Sequence, residues 1–532
     1  MKISGQQTNW PGGCLPQQKS NTMNLNKTVL PQLNEMLVTR PNSEVFDLPE
    51  KVLQFGTGVL LRGLIDYFID NANKQGVFNG RCVVVKTTGA AGTNEFEPQD
   101  NLYTHVLRGL KQGVPEEATR INAAISRVLH ATHHWQQILA CAEQPDLEIV
   151  VSNTTEVGIV LQPDEDIFAA PPVSFPGKLL ALLYHRYKHF AGNPAKGWTI
   201  VPTELITDNG TQLKQIVYQL AEKHALEPAF MQWLQEACRF CNSLVDRIVP
   251  GKLPAADYMQ MTEKLGYADD LMIMSEWYSL WAIESADPAV TRTLSFVACN
   301  PGVVITADIY KYRELKLRLL NGTHTFLCGF AWLAGFATVK EAMQHSSFKA
   351  LAHSLMMEEI VPCLVGDKIT AEEARTFAEQ VLERFANPYI EHKWLSITLH
   401  YSTKMKARNL PLIKGYLQRH GAVPERMACC IAAYLLFNRC AKQPDGIYAG
   451  VTDSGVQYSI TDDKAVFFAE AWQLHPANEV VDAVLQNEAL WGENLATLPG
   501  FAHAVEQFLD ILLTNGVAAS LGQMDKMIAS GE

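Results

Sequence analysis

Lys51-Val-Leu-Gln-Phe55-Gly56-Thr57-Gly58-Val59-Leu60-Leu61 is the stretch on which the fold turns. Lys51 to Phe55 has the apolar and aromatic content of a short strand, and the glycines break it. From Val59 to Ala72, Leu60, Leu61, Leu64, Ile65, Phe68 and Ile69 recur at helical spacing. Arg81-Cys-Val-Val-Val85 reads as a second strand. Strand, glycine turn, helix and strand in about 35 residues make a βαβ unit. Phe55, Gly56, Thr57 and Gly58 then stand where a dinucleotide-binding turn belongs. Its glycines admit a pyrophosphate, and the helix start offers free N–H groups. Leu61 replaces the usual third glycine, and a simple tight turn is the alternative. The acid that usually ends the second strand is missing, and Lys86 occupies that region. An acid there grips a ribose hydroxyl, whereas a lysine tolerates a 2′-phosphate, so the residues alone leave NAD and NADP open.

Working outward, strands are expected at Leu147 to Ser152 and Trp198 to Pro202, with a helix from His134 to Ala142. Continuous Val/Ile runs suggest strands buried on both faces, as in a parallel sheet. After Cys299-Asn-Pro-Gly302 long helical patterns dominate: Tyr312 to Leu320, Thr325 to Phe336, Ser347 to Leu364, Ala371 to Phe385, Arg426 to Phe437 and Asp463 to Leu474. The expected class is α/β plus all-α, divided as a flexible leader (1–27), a Rossmann-type domain (28–300) and a helical substrate and catalytic domain (301–532). Met23 is a candidate start. Among 532 residues, 47% are hydrophobic and 19% charged, ordinary for a folded chain. Acidic residues (56) exceed basic ones (44), a net charge of -12 that argues against nucleic acid as a partner. No run reaches the roughly 18 apolar residues of a membrane span, so no membrane is expected. The eleven cysteines are scattered. The one CxxC, Cys238 to Cys241 in an apparently helical stretch, reads as two thiols in a reducing cytoplasm, with no metal.

Lys311-Tyr-Arg-Glu-Leu-Lys316-Leu-Arg-Leu-Leu-Asn321-Gly-Thr-His324 is the richest segment chemically. At about 100° per residue, Lys316, Asn321 and His324 share one broad helix face within about 140°. A solvated face is the alternative. Asn321-Gly322 is a poor helical pair inside an apolar run, a flaw often tolerated for function.

These residues resemble the mannitol dehydrogenase family of polyol-specific long-chain dehydrogenases. The Lys316-x4-Asn321-x2-His324 spacing is similar to its active-site motif, and Asn242 to Pro250, with Val245-Asp246-Arg247, to a second signature. Gln54 to Gly58 with Arg62, and Ser152-Asn-Thr-Thr155-Glu156-Val-Gly158, complete the likeness, which covers about residues 45 to 510. It implies NAD bound in an N-terminal Rossmann-type domain, with Thr155 and Glu156 among its contacts. It also implies Lys316 as general acid/base, Asn321 and His324 polarising the reacting oxygen, Asp246 supporting the site, and no metal. Within the family the likeness is greatest to members reducing keto-hexuronates. The implied reaction is interconversion of D-tagaturonate and D-altronate in hexuronate catabolism, with fructuronate or another polyol or ketose as the alternative substrate. A non-catalytic NAD-binding sensor is a remoter one. Thr203-Glu204-Leu205 stands where many members have Cys-Asp-Asn, so Asn209 or Glu204 is the expected replacement donor. Arg384, His392 and Lys404, with Lys406 and Arg408 nearby, supply cations suited to a carboxylate; a basic solvated helix face is the alternative. Oligomeric state is left open.

Overall fold

A computed structural model describes residues 23–87, 94–154 and 158–530. The main sheet of its N-terminal half has six strands: β1 (Glu50–Phe55), β2 (Arg81–Lys86), β3 (Ile125–His130), β4 (Ile149–Ser152), β5 (Thr199–Pro202) and β6 (Arg239–Phe240). All pairs are parallel, in the order β3-β2-β1-β4-β5-β6. The chain builds outward from β1 on one side and resumes at β4 on the other. That reversal is a topological switch point, where Phe55 lies opposite Ser152 and a crevice opens at the carboxyl ends of the strands.

Both faces of this sheet are covered, which explains why its strands read as unbroken apolar runs. Val52, Leu53, Gln54 and Phe55 are all fully buried. Alternate residues serve two cores. Val52, Val84 and Val151 pack against α1 (Val59–Lys74), whereas Leu53, Val83 and Val150 pack against α2 (Phe175–His189) and α3 (Asn209–Lys223). Next to the sheet, β7 (Ser243–Asp246) pairs antiparallel with β8 (Leu280–Glu284), which pairs parallel with β9 (Val303–Thr306). A long hairpin, Tyr103–Lys111 with Val114–Asn122, has no counterpart in the sequence reading.

Several expectations need correction. Met23–Asn24 pairs with Tyr267–Ala268 and Leu25 is fully buried, so the leader is anchored from residue 23; residues 1–22 lie outside the described residues. β9 falls beyond residue 300 yet completes the N-terminal half. The CxxC is not helical. Its cysteines flank β6, both buried, and desolvation pushes both thiols up to about 12.

The C-terminal half is helical around one continuous core. Its site-bearing elements are α4 (residues 310–333), α5 (Ala371–Phe385) and α6 (residues 401–420), backed by α7 (Glu425–Phe437). α5 starts where its capping box dictates: Thr370 accepts from the Glu373 N–H, and the Glu373 carboxylate accepts from the Thr370 N–H. A small three-stranded sheet over Cys440–Lys442, Tyr448–Val451 and Gln457–Ser459 was not foreseen. Among the described residues no helix is long and apolar enough to cross a membrane, and no group of three or more His, Cys, Asp or Glu could hold a metal ion.

Candidate active site

The glycine turn sits at the switch point. Gly56 has φ +124, and a Cβ there would meet the Asn153 carbonyl at 3.0 Å, so only glycine fits. Gly58 is different. Among the described residues a Cβ on it would meet nothing within 4 Å, so their packing does not require glycine there. Gly58 is also the N-cap of α1 and no side chain caps the helix, leaving the first N–H groups to a ligand. An open cradle with free donors fits a pyrophosphate. Thr57 lies half-buried between the glycines, while Phe55 is wholly buried and packs on Phe175, so it shapes the turn from below. Lys86 ends β2 paired with Glu95 at 2.6 Å. Partial burial would raise the Glu95 carboxyl, but the hydrogen bond from Lys86 outweighs it and holds it below its usual value. An acid thus does stand at the end of β2, supplied from nine residues on, where sequence spacing gave no signal. Thr155 and Glu156 lie outside the described residues.

A chain of contacts leads from this turn to a cleft of about 370 Å³. Next to Asn153, Thr154 donates from its N–H and its hydroxyl to Glu204 Oε1, both at 2.9 Å, and Ser152 Oγ donates to Oε2 at 3.1 Å. Glu204 lines the cleft with Ser243, Val245, Lys316, Asn321 and Arg408. The cleft therefore opens between the carboxyl end of the sheet and the helical half.

α4 is not a regular α-helix. Leu315–Gly322 is π-helical, with hydrogen bonds five residues apart, a geometry that recurs at functional sites. Lys316 and Asn321 are five apart, so the wider turn stacks them closer than the α-helical angles predict. Gly322 belongs to a close approach. Its carbonyl accepts from Asn409 Nδ2 at 3.2 Å, which ties α4 to a second π-helical turn, Met405–Asn409 in α6. The Asn321-Gly322 flaw is thus the join between two irregular helices.

Lys316 Nζ donates to the Val245 carbonyl at 2.7 Å. Desolvation lowers its pKa from the ordinary 10.5. Asp246 opposes that, and Arg384 and Arg408 add to it. His324 is buried, stacked on Phe385 at 4.0 Å and edge-on to His392 at 5.0 Å. Desolvation, then His392, Arg384 and Arg408, drive its pKa well below 6.5, so the ring is neutral near pH 7. Its Nε2 is buried with no hydrogen-bond partner among the described residues, an orphaned atom of the kind a ligand satisfies. Asn321 is half-buried on the cleft wall. His392 is half-buried, its pKa lowered by desolvation and then by Lys404. Lys404 donates to the Ile397 carbonyl at 3.1 Å, and desolvation, then Arg408, lowers its pKa.

Two expected substrate ligands are placed otherwise. Asn209 is fully buried at the start of α3. Its amide nitrogen faces the Pro202, Glu204 and Ser243 carbonyls at 3.0–3.1 Å, and its oxygen accepts from the Gly210 and Ser243 N–H groups at 2.9 Å. Every polar atom is spent on backbone, so Asn209 ties β5 to β7 and offers nothing to the cleft. Arg384 is locked across the seam between the halves. It grips Asp246 at 2.8 and 2.9 Å and Glu276 at 2.9 and 3.0 Å, with its guanidinium 4.2 Å from the Tyr278 ring. Burial alone would raise Asp246, but Arg384 and then Lys316 hold it below its usual value. Desolvation leaves Glu276 raised despite Arg384. Asp246 thus acts on Lys316 through charge, and Arg384 positions Asp246.

Residues 50–294 match the mannitol dehydrogenase Rossmann domain and residues 308–513 the mannitol dehydrogenase C-terminal domain. The altronate oxidoreductase of Bacillus subtilis (strain 168) is 37% identical over 490 residues, covering 91% of this chain and 97% of its own. That of Phocaeicola vulgatus is 37% identical over 470 residues, covering 88% and 95%. Among solved structures, the ternary complex of Pseudomonas fluorescens mannitol 2-dehydrogenase with NAD and D-mannitol superposes with a TM-score of 0.69 at 24% identity, covering 95% of this chain and 100% of that one. A substrate-free D-sorbitol dehydrogenase does so at 0.74 and 20% identity, over 94% and 100%. At such identities the structural likeness is one of fold.

Proposed function

This chain belongs to the mannitol dehydrogenase family, and on that premise we propose that it is an NAD-dependent oxidoreductase interconverting D-tagaturonate and D-altronate. The relatives of 37% identity named altronate oxidoreductase support this substrate. The carrying observation is the desolvated Lys316 ammonium beside Asn321, in a cleft whose far wall joins the glycine turn through Glu204.

The residues present fit the cofactor: Gly56 to Gly58 and the start of α1 would hold the pyrophosphate, and Glu95, paired with Lys86 at the end of β2, would be the acid for the ribose. Bound NADH supplies a hydride to the carbonyl carbon. The chain's own groups handle the oxygen. Asn321 and the orphaned His324 Nε2 donate to it as charge develops, preorganised in a site that sheds water. Lys316 then passes a proton to that oxygen. A lysine whose pKa is lowered by burial is the better acid for this, and it reclaims the proton as base in the reverse direction. Asp246 keeps enough positive charge on Lys316 for it to stay protonated before the transfer.

Initial rates of NADH oxidation with D-tagaturonate, D-fructuronate and D-fructose test the reading. The keto-uronate is expected to exceed fructose by more than about 100-fold in kcat/KM, about 2.7 kcal/mol, within reach of one charge-assisted pair. Equal efficiency on fructose sinks the uronate assignment, and a preference for fructuronate assigns the epimer.

A further inference from the structure

The cations around the cleft divide into two sets. Arg384 is saturated by Asp246 and Glu276. Arg313 pairs with Asp208 and Arg318 with Glu314. Arg408 is the contrast. It lines the cleft beside Lys316 and Asn321, and among the described residues no carboxylate pairs with it. Among the described residues its guanidinium makes one hydrogen bond, from Nη1 to Thr325 Oγ1 at 3.2 Å. That hydroxyl is itself fixed, donating to the Asn321 carbonyl at 2.8 Å. The Arg408 backbone is pinned too, since its carbonyl accepts from Arg318 Nη1 at 2.6 Å. The guanidinium is thus tethered one residue past His324, on the helix that carries Lys316 and Asn321, with most of its five donors unspent.

A partly desolvated guanidinium without a counter-ion is costly, and in a chain with twelve more acidic than basic residues a partner was not scarce. Burial lowers its pKa, and no carboxylate acts to raise it again. Neither neighbouring lysine is placed as well. Lys404 is turned to the Ile397 carbonyl, and exposed Lys406 reaches toward Gly492. A planar fork also suits a carboxylate better than an ammonium does, because it binds both oxygens.

We propose that Arg408 is the specificity-determining residue that binds the substrate carboxylate, so the cleft takes a sugar acid rather than a neutral ketose. This rests on the keto-uronate reading above. Thr325 is the positioning residue that aims the fork. With the carboxylate held at α6 and the carbonyl at Lys316 on α4, the two π-helical turns set the separation between the charged and reacting ends of the substrate.

The test compares kcat/KM for D-tagaturonate and D-fructose in wild type, Arg408→Gln and Arg408→Lys, with NADH affinity measured alongside. In Arg408→Gln the tagaturonate-to-fructose ratio falls by about 100-fold, chiefly through KM for tagaturonate. Arg408→Lys recovers part of that ratio, since it restores the charge without the fork. A ratio unchanged within about threefold overturns the proposal, whether both efficiencies hold or both fall together, because a merely structural role lowers both substrates alike. A wild-type enzyme that prefers fructose overturns the keto-uronate reading itself, and this inference with it.

Discussion

Replacing Lys316 by methionine should cost activity and gain stability. Among the described residues Lys316 has no carboxylate in hydrogen-bond contact, and its ammonium donates only to the Val245 carbonyl. Desolvation, only partly opposed by Asp246, sets its folded pKa below 10.5. Below that folded value both states are protonated and the cost of the buried charge is fully present. Between it and 10.5 the unfolded chain binds more protons, so stability climbs with pH and the cost disappears. Every tenfold loss of proton affinity on folding corresponds to about 1.4 kcal/mol. At about 2.1 cal/mol/K per residue, 1 kcal/mol moves Tm by about 1 °C in a chain of 532 residues. Methionine matches the stem and needs no hydration, so Lys316→Met should melt at or above wild type near pH 7, with the difference shrinking toward pH 10.5. The same change removes the proton donor, worth about 10²–10⁴-fold in kcat, while NADH affinity stays within about threefold. Turnover of NADH with tagaturonate, a fluorescence titration of NADH and thermal melts at pH 7 and 9.5 read all three quantities. A variant that keeps more than about a third of kcat, or melts clearly below wild type at neutral pH, refutes the account of Lys316 as a strained acid.

Gly58→Val should weaken NADH binding at least about tenfold without lowering Tm, because its Cβ meets no protein atom but enters the pyrophosphate cradle; unchanged affinity by titration removes the turn as the site. Arg384→Met leaves Asp246 and Glu276 buried and unpaired, a loss of about 3–5 kcal/mol that thermal denaturation detects; an unchanged Tm contradicts the seam clamp. Asp66, fully buried in α1, has its carboxyl raised by desolvation from 3.8 to about 7. The folded state keeps that proton where the unfolded chain has lost it, so stability falls as pH rises from about 4 to 7. Asp66→Asn should therefore stabilise the protein at pH 8, by on the order of 4 kcal/mol, and melts of equal Tm at pH 8 refute it.

What the sequence made legible was whatever is local. The βαβ unit is read from Lys51 to Val85 because parallel strands covered on both faces are continuous in apolar residues, and because a positive φ at Gly56 needs glycine. The start of α5 follows from the capping box of Thr370 and Glu373. The hairpin at Tyr103–Lys111 was hidden because Thr104, His105 and Arg108 make it look polar. Most of its partners are remote: Tyr267 for Thr104, Ser275 for His105, and Asp257 for Arg108, which also pairs with Glu117 across the hairpin. The π-helical register of α4 was hidden because a 3.6-residue template has no place for contacts five apart.

The site divides along the same line. Sequence shows which residues carry charge or an amide, but not what that group is spent on, and the pairing decides the role. Asn209 and Arg384 read as ligands by type, yet one is consumed by five backbone groups and the other by carboxylates 138 and 108 residues away. Lys316, His324 and Arg408 look no different on paper. They differ in being desolvated with a demand left unmet: among the described residues His324 Nε2 has no partner, Lys316 has a carbonyl and the offset charge of Asp246 but no contacting carboxylate, and Arg408 has a hydroxyl but no counter-ion. A fold tolerates such a deficit when something else removes it, and on the proposed reading a substrate with a carbonyl at one end and a carboxylate at the other would remove all three at once. At equal free concentration it should therefore raise Tm more than D-fructose does, because relief of those deficits appears as tighter binding and the neutral ketose leaves the carboxylate-binding cation unpaired.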